Sequence, residues 1–388
     1  MPQTTRSVFK RDGLDWTNLL FLGGYHVALL VLLPVYLLNG LPSGALVAGT
    51  AVLWAASLLA ITMGYHRLYA HKTYKAHPVV EGILLFLGTL ATQGSALTWA
   101  HDHRIHHSHV DTDKDPYGTE IGFWHSHMLW MFRKREQPDP KFVKDLSENR
   151  MLHFQHRHYA VLMVLVNVLA IGALWLITGD LLGAFVIGFL VRLFFVHHCT
   201  WFINSLAHMW GSKPYSSEHS AVNNFILAFL TFGEGYHNYH HTFATDYRNG
   251  VRWYQFDPPK YVIWLMSKIG LAKDLKQVNR LTIERKLVHA DKNLLLDHIK
   301  SFSAEHRETF ERRIEEAYDN VSEKLMGLKT ASERYQRLKE RGDEEMEAMR
   351  VKMNHLRESV GHEMEMWQKF VDEMLEVTPQ MAPRYVRV

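Results

Sequence analysis

The sequence predicts an all-α membrane protein with four transmembrane helices, a cytoplasmic helical cap rich in histidine and a charged helical C-terminal tail. Three observations predict this architecture. Four apolar runs are each long enough to cross a bilayer, which takes about 20 helical residues. The chain contains 26 histidines but one cysteine, and the histidines form clusters near the ends of these runs. After about residue 281 the sequence is dense in charges of both signs.

The four apolar runs define the predicted membrane spans. They are Leu19–Leu38, Ala45–Gly64, Ala160–Ile177 and Leu181–Val196. A fifth run, Val79–Leu97, is weaker because it includes Glu81 and several other polar residues. We therefore expect this fifth run to be buried in protein or to lie at the membrane interface.

The distribution of basic residues predicts the orientation of the spans. The connections between the first and second spans and between the third and fourth are short and lack Lys and Arg. The other flanks carry Arg and Lys, which indicates that they are cytoplasmic. The sequence thus predicts two helical hairpins with both termini in the cytoplasm. The predicted organisation is a cytoplasmic segment 1–18, a membrane domain 19–280 and a cytoplasmic tail 281–388.

The tail has a helical pattern close to heptad spacing. Apolar residues recur every three or four positions from Ile314 to Leu338 and again from Met346 to Met374, and Gly342 separates the two runs. This spacing is typical of coiled-coil-like helices. A solvated hairpin that packs on the cap, a homo-oligomer interface and a docking site for a redox partner all remain open. The net charge of +3 is too small to indicate nucleic-acid binding.

Three histidine clusters and one further element are the main chemical signal. Residues three and four apart share a helix face, so each triplet is expected to aim its imidazoles at one point. Isolated histidines, such as His77 and His153, are expected to be bystanders. The clustered residues are His66 and His71; His103, His106 and His107; His237, His240 and His241; and Asn204 with His208.

Nine clustered imidazoles predict a site for two metals. They are too many for one ion with four to six ligands, and imidazole suits iron, copper, zinc and nickel. Cysteine-based zinc and iron–sulfur sites are excluded because the chain has one cysteine, Cys199. The Glu-x-x-His pairs of carboxylate-bridged di-iron bundles are absent from the clusters. All of the clusters fall on the predicted cytoplasmic side.

Between Tyr65 and Val278 the sequence resembles the membrane fatty acid desaturases, specifically the stearoyl-CoA (Δ9) branch. The resemblance rests on the stretches HRLYAHKTYKA, WAHDHRIHH, DTDKDPYG, NSLAH and GEGYHNYHHTF, and it is to bacterial-type members with a C-terminal helical extension. It implies O2-dependent cis-Δ9 desaturation of a long-chain acyl-CoA at two ferrous ions. The implied ligands are His66, His71, His103, His106, His107, His208, His237, His240 and His241, with Asn204 acting through a water.

The resemblance also implies a set of substrate-binding residues. Two positions depart from the family pattern: His101 replaces an Arg and Gly94 replaces an Asn. Both positions meet coenzyme A in the family, and neutral His removes a charge-assisted contact to phosphate. An acyl-lipid substrate therefore remains an alternative. Gln93, Trp99 and Thr200 would shape a kinked acyl tunnel, and Asp102, Trp201, Lys134 and Arg135 would meet coenzyme A.

Trp54 is expected to limit the length of the acyl chain. It precedes His66 by twelve residues, or about 18 Å of helix at about 1.5 Å per residue. In the resembling enzymes the methyl end of the acyl chain runs beside this span. An indole there is expected to favour palmitoyl over stearoyl substrates.

Other functions and partners remain to be weighed. A membrane hydroxylase shares the histidine pattern and would yield an alcohol. A metal transporter would require imidazoles inside the spans, whereas these clusters lie beyond the span ends. No haem or rubredoxin-like motif is evident, so we expect a separate electron-donor protein. The expected location is a bacterial inner membrane, in contact with membrane lipid.

Overall fold

The computed structural model describes residues 13–134, 137–379 and 381, which form two compact units. One unit comprises the residues up to 213 together with 218–277, and the other comprises 214–217 and the residues from 278 onward. The described helices of the first unit are α1 (Trp16–Leu38), α2 (Gly44–Ala60), α3 (Pro78–Leu90), α4 (Ala96–His109), α5 (Phe123–His127), α6 (Pro140–Val143), α7 (Arg150–Arg157), α8 (Tyr159–Thr178), α9 (Leu181–Phe185), α10 (Arg192–Asn204), α11 (Phe225–Leu230), α12 (His237–Thr242) and α13 (Pro258–Lys268).

Two π-helical segments and several 3₁₀ turns extend these helices. The segment Ile61–Ala70 continues α2, and Val186–Val191 joins α9 to α10. The 3₁₀ turns are Thr119–Ile121, Leu129–Phe132, Lys144–Leu146 and Leu206–His208. Two short antiparallel strands, β1 (Lys75–Ala76) and β2 (Ala272–Lys273), pair the segment after His71 with the end of the cap.

The prediction of an all-α protein with four membrane spans is confirmed. Within the described residues, four helical stretches are long and apolar enough to cross a membrane: Trp16–Leu38, Gly44–Ala70, Tyr159–Thr178 and Leu181–His208. The second and fourth stretches run further than the sequence predicts, because π and 3₁₀ turns carry them on to the histidines. Residues 1–12, most of the predicted N-terminal segment, lie outside the described residues.

The fifth apolar run is two helices rather than one. Helix α3 ends at Leu90, and α4 begins at Ala96 after a turn. In this turn Thr92 has a φ of 53° and Gly94 a φ of 90°. These left-handed conformations are incompatible with a continuous right-handed helix. The sequence did not reveal this break, because threonine is uncommon at positive φ.

The π-helix after α2 explains the spacing of the first histidine pair. Its backbone bonds join residues five apart, as in the 3.0 Å bond from the N–H of His71 to the carbonyl of His66. An α-helix would point side chains five apart in different directions, whereas a π turn closes at that spacing. The two imidazole rings consequently lie 4.8 Å apart between centroids.

The second unit is a bundle of three long helices. They are α14 (Arg280–His298), α15 (Ala304–Arg341) and α16 (Met346–Glu376), with a 3₁₀ turn at Ile299–Ser301. Gly342 adopts a φ of 65° and ends α15 in the left-handed conformation typical of helix C-termini. The heptad-like pattern predicts α15 and α16, and α14 adds Val288 and Leu295 to the same apolar core.

The core of this bundle generates a stability prediction. Leu325 is fully buried in the core, so Leu325→Ala should lower the free energy of unfolding by about 2–5 kcal/mol through the cavity it leaves. Met326→Ala is the matched control, because Met326 is 43% exposed and its loss should cost less than about 0.5 kcal/mol. Hydrogen exchange of peptides from 280–376 measures both effects, and equal effects would contradict the bundle core.

Candidate metal centre

All nine clustered histidines meet in two groups of nitrogen atoms. Within each group the potential ligand atoms lie within 4.8 Å of one another, and all nine residues are buried or half-buried. These are the only such histidine groups among the described residues. The first histidine group is His66, His71, His103, His107 and His240. The second histidine group is His106, His208, His237 and His241.

Helix geometry distributes each triplet between the two groups. In α4, His103 and His107 are four residues apart and join the first group, whereas His106 joins the second. In α12, the pair His237 and His241 joins the second group and His240 the first. The expectation that each triplet aims at one point is therefore wrong. Residues four apart nearly superpose along a helix, while the residue three away leans to the other side.

The distances between ring nitrogens match an arrangement of metal ligands. The Nε2 atom of His240 is 3.0 Å from the Nε2 atoms of both His66 and His107. The corresponding distance between His208 and His237 is 3.0 Å. Two nitrogens bound at about 2.1 Å to one ion, at right angles, would be about 3.0 Å apart. One hydrogen on the Nε2 atom of His240 could be donated to His66 or to His107 but not fully to both. A cation shared by the three nitrogens therefore explains these short distances better than hydrogen bonds do.

Buried acceptors fix the orientation of several imidazoles. Nδ1 of His66 is 2.8 Å from Glu234, and Nδ1 of His106 is 2.8 Å from Asp115. A carboxylate that accepts the Nδ1 proton leaves the lone pair on Nε2, which is the metal-binding tautomer. The Nδ1 atom of His208 has the hydroxyl of Ser220 at 2.7 Å as its partner.

Glu234 is held in its ionised form by hydrogen-bond donors and by the charge of Arg67. It lies 3.3 Å from Arg67 and accepts a hydrogen bond from the hydroxyl of Thr62. Burial alone would raise the pKa of Glu234, but His66 and Arg67 together lower that pKa to about 2. Arg67 is shared with Asp257 at 2.9 Å. The buried carboxylate thus carries a charge that offsets part of the charge of a bound cation.

The imidazoles outside the membrane spans are held neutral. Burial, followed by repulsion among neighbouring imidazoles, lowers their pKa values well below the ordinary value for histidine. Neutral imidazoles offer their lone pairs to a metal at neutral pH. The histidines concerned are His71, His103, His107, His237, His240 and His241.

A cavity of about 610 Å³ opens beside the first histidine group, within the range of small-molecule sites. Its wall includes His103 and Asn204 and apolar residues such as Phe21 and Met163. A second, small cavity shares Trp99, His103, Thr200 and Asn204 with it and also reaches His66 and His237. Five of the predicted substrate residues line the larger cavity: Gln93, Trp99, Asp102, Thr200 and Trp201.

The remaining predicted residues lie elsewhere. Lys134 is exposed and does not line either cavity, and Arg135 lies outside the described residues. Trp54 is half-buried against Phe232, with ring centroids 5.6 Å apart, and does not line either cavity. Its role in chain length stays a prediction. Asn204 ends α10, so Asn204 and His208 belong to different helical segments.

His101 is occupied by bonds within the protein. Its Nε2 atom accepts the backbone N–H of Asp139 at 2.9 Å, so the ring hydrogen is on Nδ1. This Nδ1–H donates to the carboxylate of Asp102 at 2.9 Å. The ring is buried and is absent from the wall of the cavity. Both of its nitrogens are therefore committed to neighbours in the chain.

Sequence reasoning missed the residues that orient the imidazoles. Glu234 stands three residues before His237, in GEGYH, and Asp115 lies in the stretch DTDKDPYG. Both acids were visible as polar residues close to the clusters, and the need of a ligand imidazole for an Nδ1 acceptor could have pointed to them. Ser220 carries no such local signal.

Comparison with known proteins identifies the family. Residues 42–263 match the model of the fatty acid desaturase family. Acyl-CoA desaturase 1 of Saccharomyces cerevisiae is 41% identical over 61% of this chain and 47% of its own length. The sn-1 stearoyl-lipid 9-desaturase of Anabaena variabilis is 34% identical over 69% of this chain and 96% of its own length.

The chain belongs to the fatty acid desaturase family, as the resemblance implied. It spans about half the length of its Saccharomyces relative and 59% of a probable acyl-CoA desaturase from Schizosaccharomyces pombe. With four apolar helices of sufficient length, it is an integral membrane protein.

Removing a member of the second group should disable the site. His106→Ala takes one of four imidazoles from this group, so metal content should fall from two ions toward one and product formation should stop. His153→Ala is the control, because His153 is exposed and belongs to neither group. Elemental analysis and product assays measure the two effects. Full activity of the His106 variant would exclude a ligand role.

The carboxylate behind His66 should tune metal affinity. Glu234→Gln keeps the shape of the side chain but removes its charge, so metal binding should weaken by roughly 10–100-fold. Glu81→Gln serves as the control, because Glu81 accepts the hydroxyl of Tyr69 at 2.9 Å and belongs to neither histidine group. Competition with a chelator measures affinity. Equal affinities in the two variants would contradict the orienting role of Glu234.

Proposed function

We propose that the protein introduces a cis-Δ9 double bond into a long-chain saturated acyl group at a pair of ferrous ions, with O2 as co-substrate. The observation that carries this proposal is the convergence of the nine imidazoles in two groups beside a largely apolar cavity. Each group would supply the ligands of one iron, and Asn204 would act through a water. Membership of the desaturase family supports the same reaction type.

The chemistry divides between the metals and the chain. Two bound irons would supply the activation of O2 and the removal of hydrogen from an unactivated methylene pair. The chain binds and orients the acyl group in the cavity, excludes water and holds the imidazoles. Each turnover converts O2, two protons, two electrons and a saturated carbon pair into a double bond and two waters. The two electrons come from a separate donor protein.

The proposed substrate is a palmitoyl or stearoyl thioester of coenzyme A. The acyl chain would lie along Gln93, Trp99 and Thr200, and the coenzyme would meet Asp102 and Trp201 at the cavity wall. Lys134 is the described residue that would contact its phosphates, and Arg135, which the resemblance pairs with it, lies outside the described residues. The yeast relatives are named acyl-CoA desaturases, which supports this choice.

An acyl-lipid is the second candidate substrate, and His101 is the observation that favours it. This residue replaces a family arginine, and both of its nitrogens are bonded within the chain. It therefore has no unoccupied nitrogen to offer to a coenzyme A phosphate. The relative from Anabaena variabilis is named a stearoyl-lipid 9-desaturase, which supports this candidate.

The location and partners complete the proposal. The metal centre and both termini face the cytoplasm of a bacterial inner membrane, because the basic flanks lie on that side. The proposed organisation is a cytoplasmic segment up to residue 18, a membrane domain 19–280 and a tail 281–388, of which residues 1–12, 135–136, 380 and 382–388 lie outside the described residues. The heptad-like apolar residues of the tail are buried in its own three-helix core, so self-association or docking of the donor would use the exposed faces of its helices.

Product analysis tests the reaction directly. Expression in a host of known lipid composition should yield cis-Δ9 products, localised by mass spectrometry, and purified membranes should convert palmitoyl-CoA when a donor and O2 are supplied. Conversion of labelled phospholipid instead of palmitoyl-CoA would select the acyl-lipid substrate. A dominant alcohol, or a double bond mainly at another position, would refute the proposed reaction.

Chain length gives a separate prediction for Trp54. If its indole limits the tunnel, Trp54→Ala should shift the preference from palmitoyl toward stearoyl substrates. Trp264→Ala is the control, because Trp264 is 49% exposed in α13 and does not line the cavity. Gas chromatography of cellular fatty acids measures the ratio. An unchanged ratio in the Trp54 variant would show that the indole does not limit chain length.

A further inference from the structure

The turn between α3 and α4 is a strained part of the cavity wall. Thr92, Gln93 and Gly94 all line the cavity, and Thr92 has a φ of 53°. A β-branched residue is rarely found in this left-handed region. Such a conformation persists only where the surrounding structure holds it. The contacts of the turn show what holds it.

The hydrogen-bond donors to the last carbonyl groups of α3 show which residues hold the turn in place. Those of Gly88 and Thr89 accept the backbone N–H groups of Ala91 and Thr92. The next two carbonyls have no helical donor. Side chains of α10 bond them: Arg192 donates from Nη1 to Leu90 at 2.9 Å, and His197 donates from Nε2 to Ala91 at 3.0 Å. The carbonyl of Ala91 also accepts the hydroxyl of Thr92 at 2.8 Å, a bond within the turn itself.

Arg192 is a buried cation inside a membrane span. It is 1% exposed, and the acceptors recorded for it among the described residues are all neutral. Besides Leu90 these are the carbonyl of Gly188 at 2.9 Å, the hydroxyl of Ser57 at 3.3 Å and the amide oxygen of Asn167. A charged group at this depth is costly and points to a function.

His197 bonds the turn from the same helix. A carbonyl can only accept, so Nε2 of His197 carries the hydrogen, and Nδ1 accepts the hydroxyl of Tyr25 at 3.0 Å. The hydroxyl of Thr92 also lies 3.0 Å from Nε2. Through this bond His197 contacts the residue with the unusual φ.

We propose that Arg192 and His197 are positioning residues that set the place of the double bond. Both lie on α10, which also carries Thr200, and the amide of Gln93 donates to Thr200 at 2.8 Å. By holding Leu90 and Ala91 they hold the turn against α10. The wall beside Trp99 and His103 then keeps one shape, and one carbon pair of the acyl chain lies next to the metal site. This inference rests on the proposed desaturase function.

The test uses the full-length, metal-loaded enzyme and two pairs of variants. Arg192→Leu and His197→Leu remove the donors to the turn, whereas Arg192→Lys and His197→Gln retain a donor. The Leu variants should keep the wild-type metal content, lose roughly 10–100-fold in product formation through misplacement of the chain, and spread the double bond over neighbouring carbons. The conservative variants should restore the single position.

Tyr36→Phe is the matched control. It removes the 2.7 Å hydrogen bond that the hydroxyl of Tyr36 donates to Asp180, which lies elsewhere in the first unit and away from the turn. This control should keep the wild-type product. If Arg192→Leu does not accumulate, His197→Leu carries the test alone, because it removes no charge.

Metal-loaded Leu variants that place the double bond at the wild-type position would overturn the proposal. Loss of metal from these variants would overturn it as well, because the residues would then be needed for the site itself. If the wild-type enzyme and the Tyr36→Phe control both make no unsaturated product, the proposed function itself is refuted, and this outcome is distinct from a change in the position of the double bond.

Discussion

Nine imidazoles from four separate segments bring their nitrogen atoms within 4.8 Å of one another in each group, and this convergence constrains the rest of the first unit. Neutral imidazole lone pairs at such distances repel unless protons or a cation lie between them. Binding of a metal at these groups would therefore be coupled to the folding of this region. The spans must end at one level so that these segments meet, and buried acids must balance the charge that they enclose.

The local helix geometry supplies the alignment that the site needs. A π turn places His66 and His71 on one side, and the i, i+3, i+4 spacing of α4 and α12 divides their triplets between two groups. Glu234 and Asp115 then fix the imidazoles of His66 and His106 from behind. The first unit thus supplies both the nine imidazoles and the acids that orient two of them.

The sequence predicted the parts of this arrangement that depend on periodicity and composition. Long apolar runs gave the four spans, and histidine spacing gave the nine residues that meet. It could not reveal which histidines of different segments share a group, because the meeting of α4 with α12 depends on tertiary packing. The turn at Thr92 was hidden for a related reason: its backbone conformation is held by Arg192 and His197, which lie about a hundred residues away in sequence. Glu234 was likewise missed, since its value lies in its contact with His66.

Anomalous X-ray scattering at the iron edge, from iron-reconstituted enzyme, would locate the metals relative to the two histidine groups. Two iron positions per chain are expected, one within about 2.1 Å of the Nε2 atoms of each histidine group. A single iron position, or two irons held by residues outside the two groups, would contradict this arrangement.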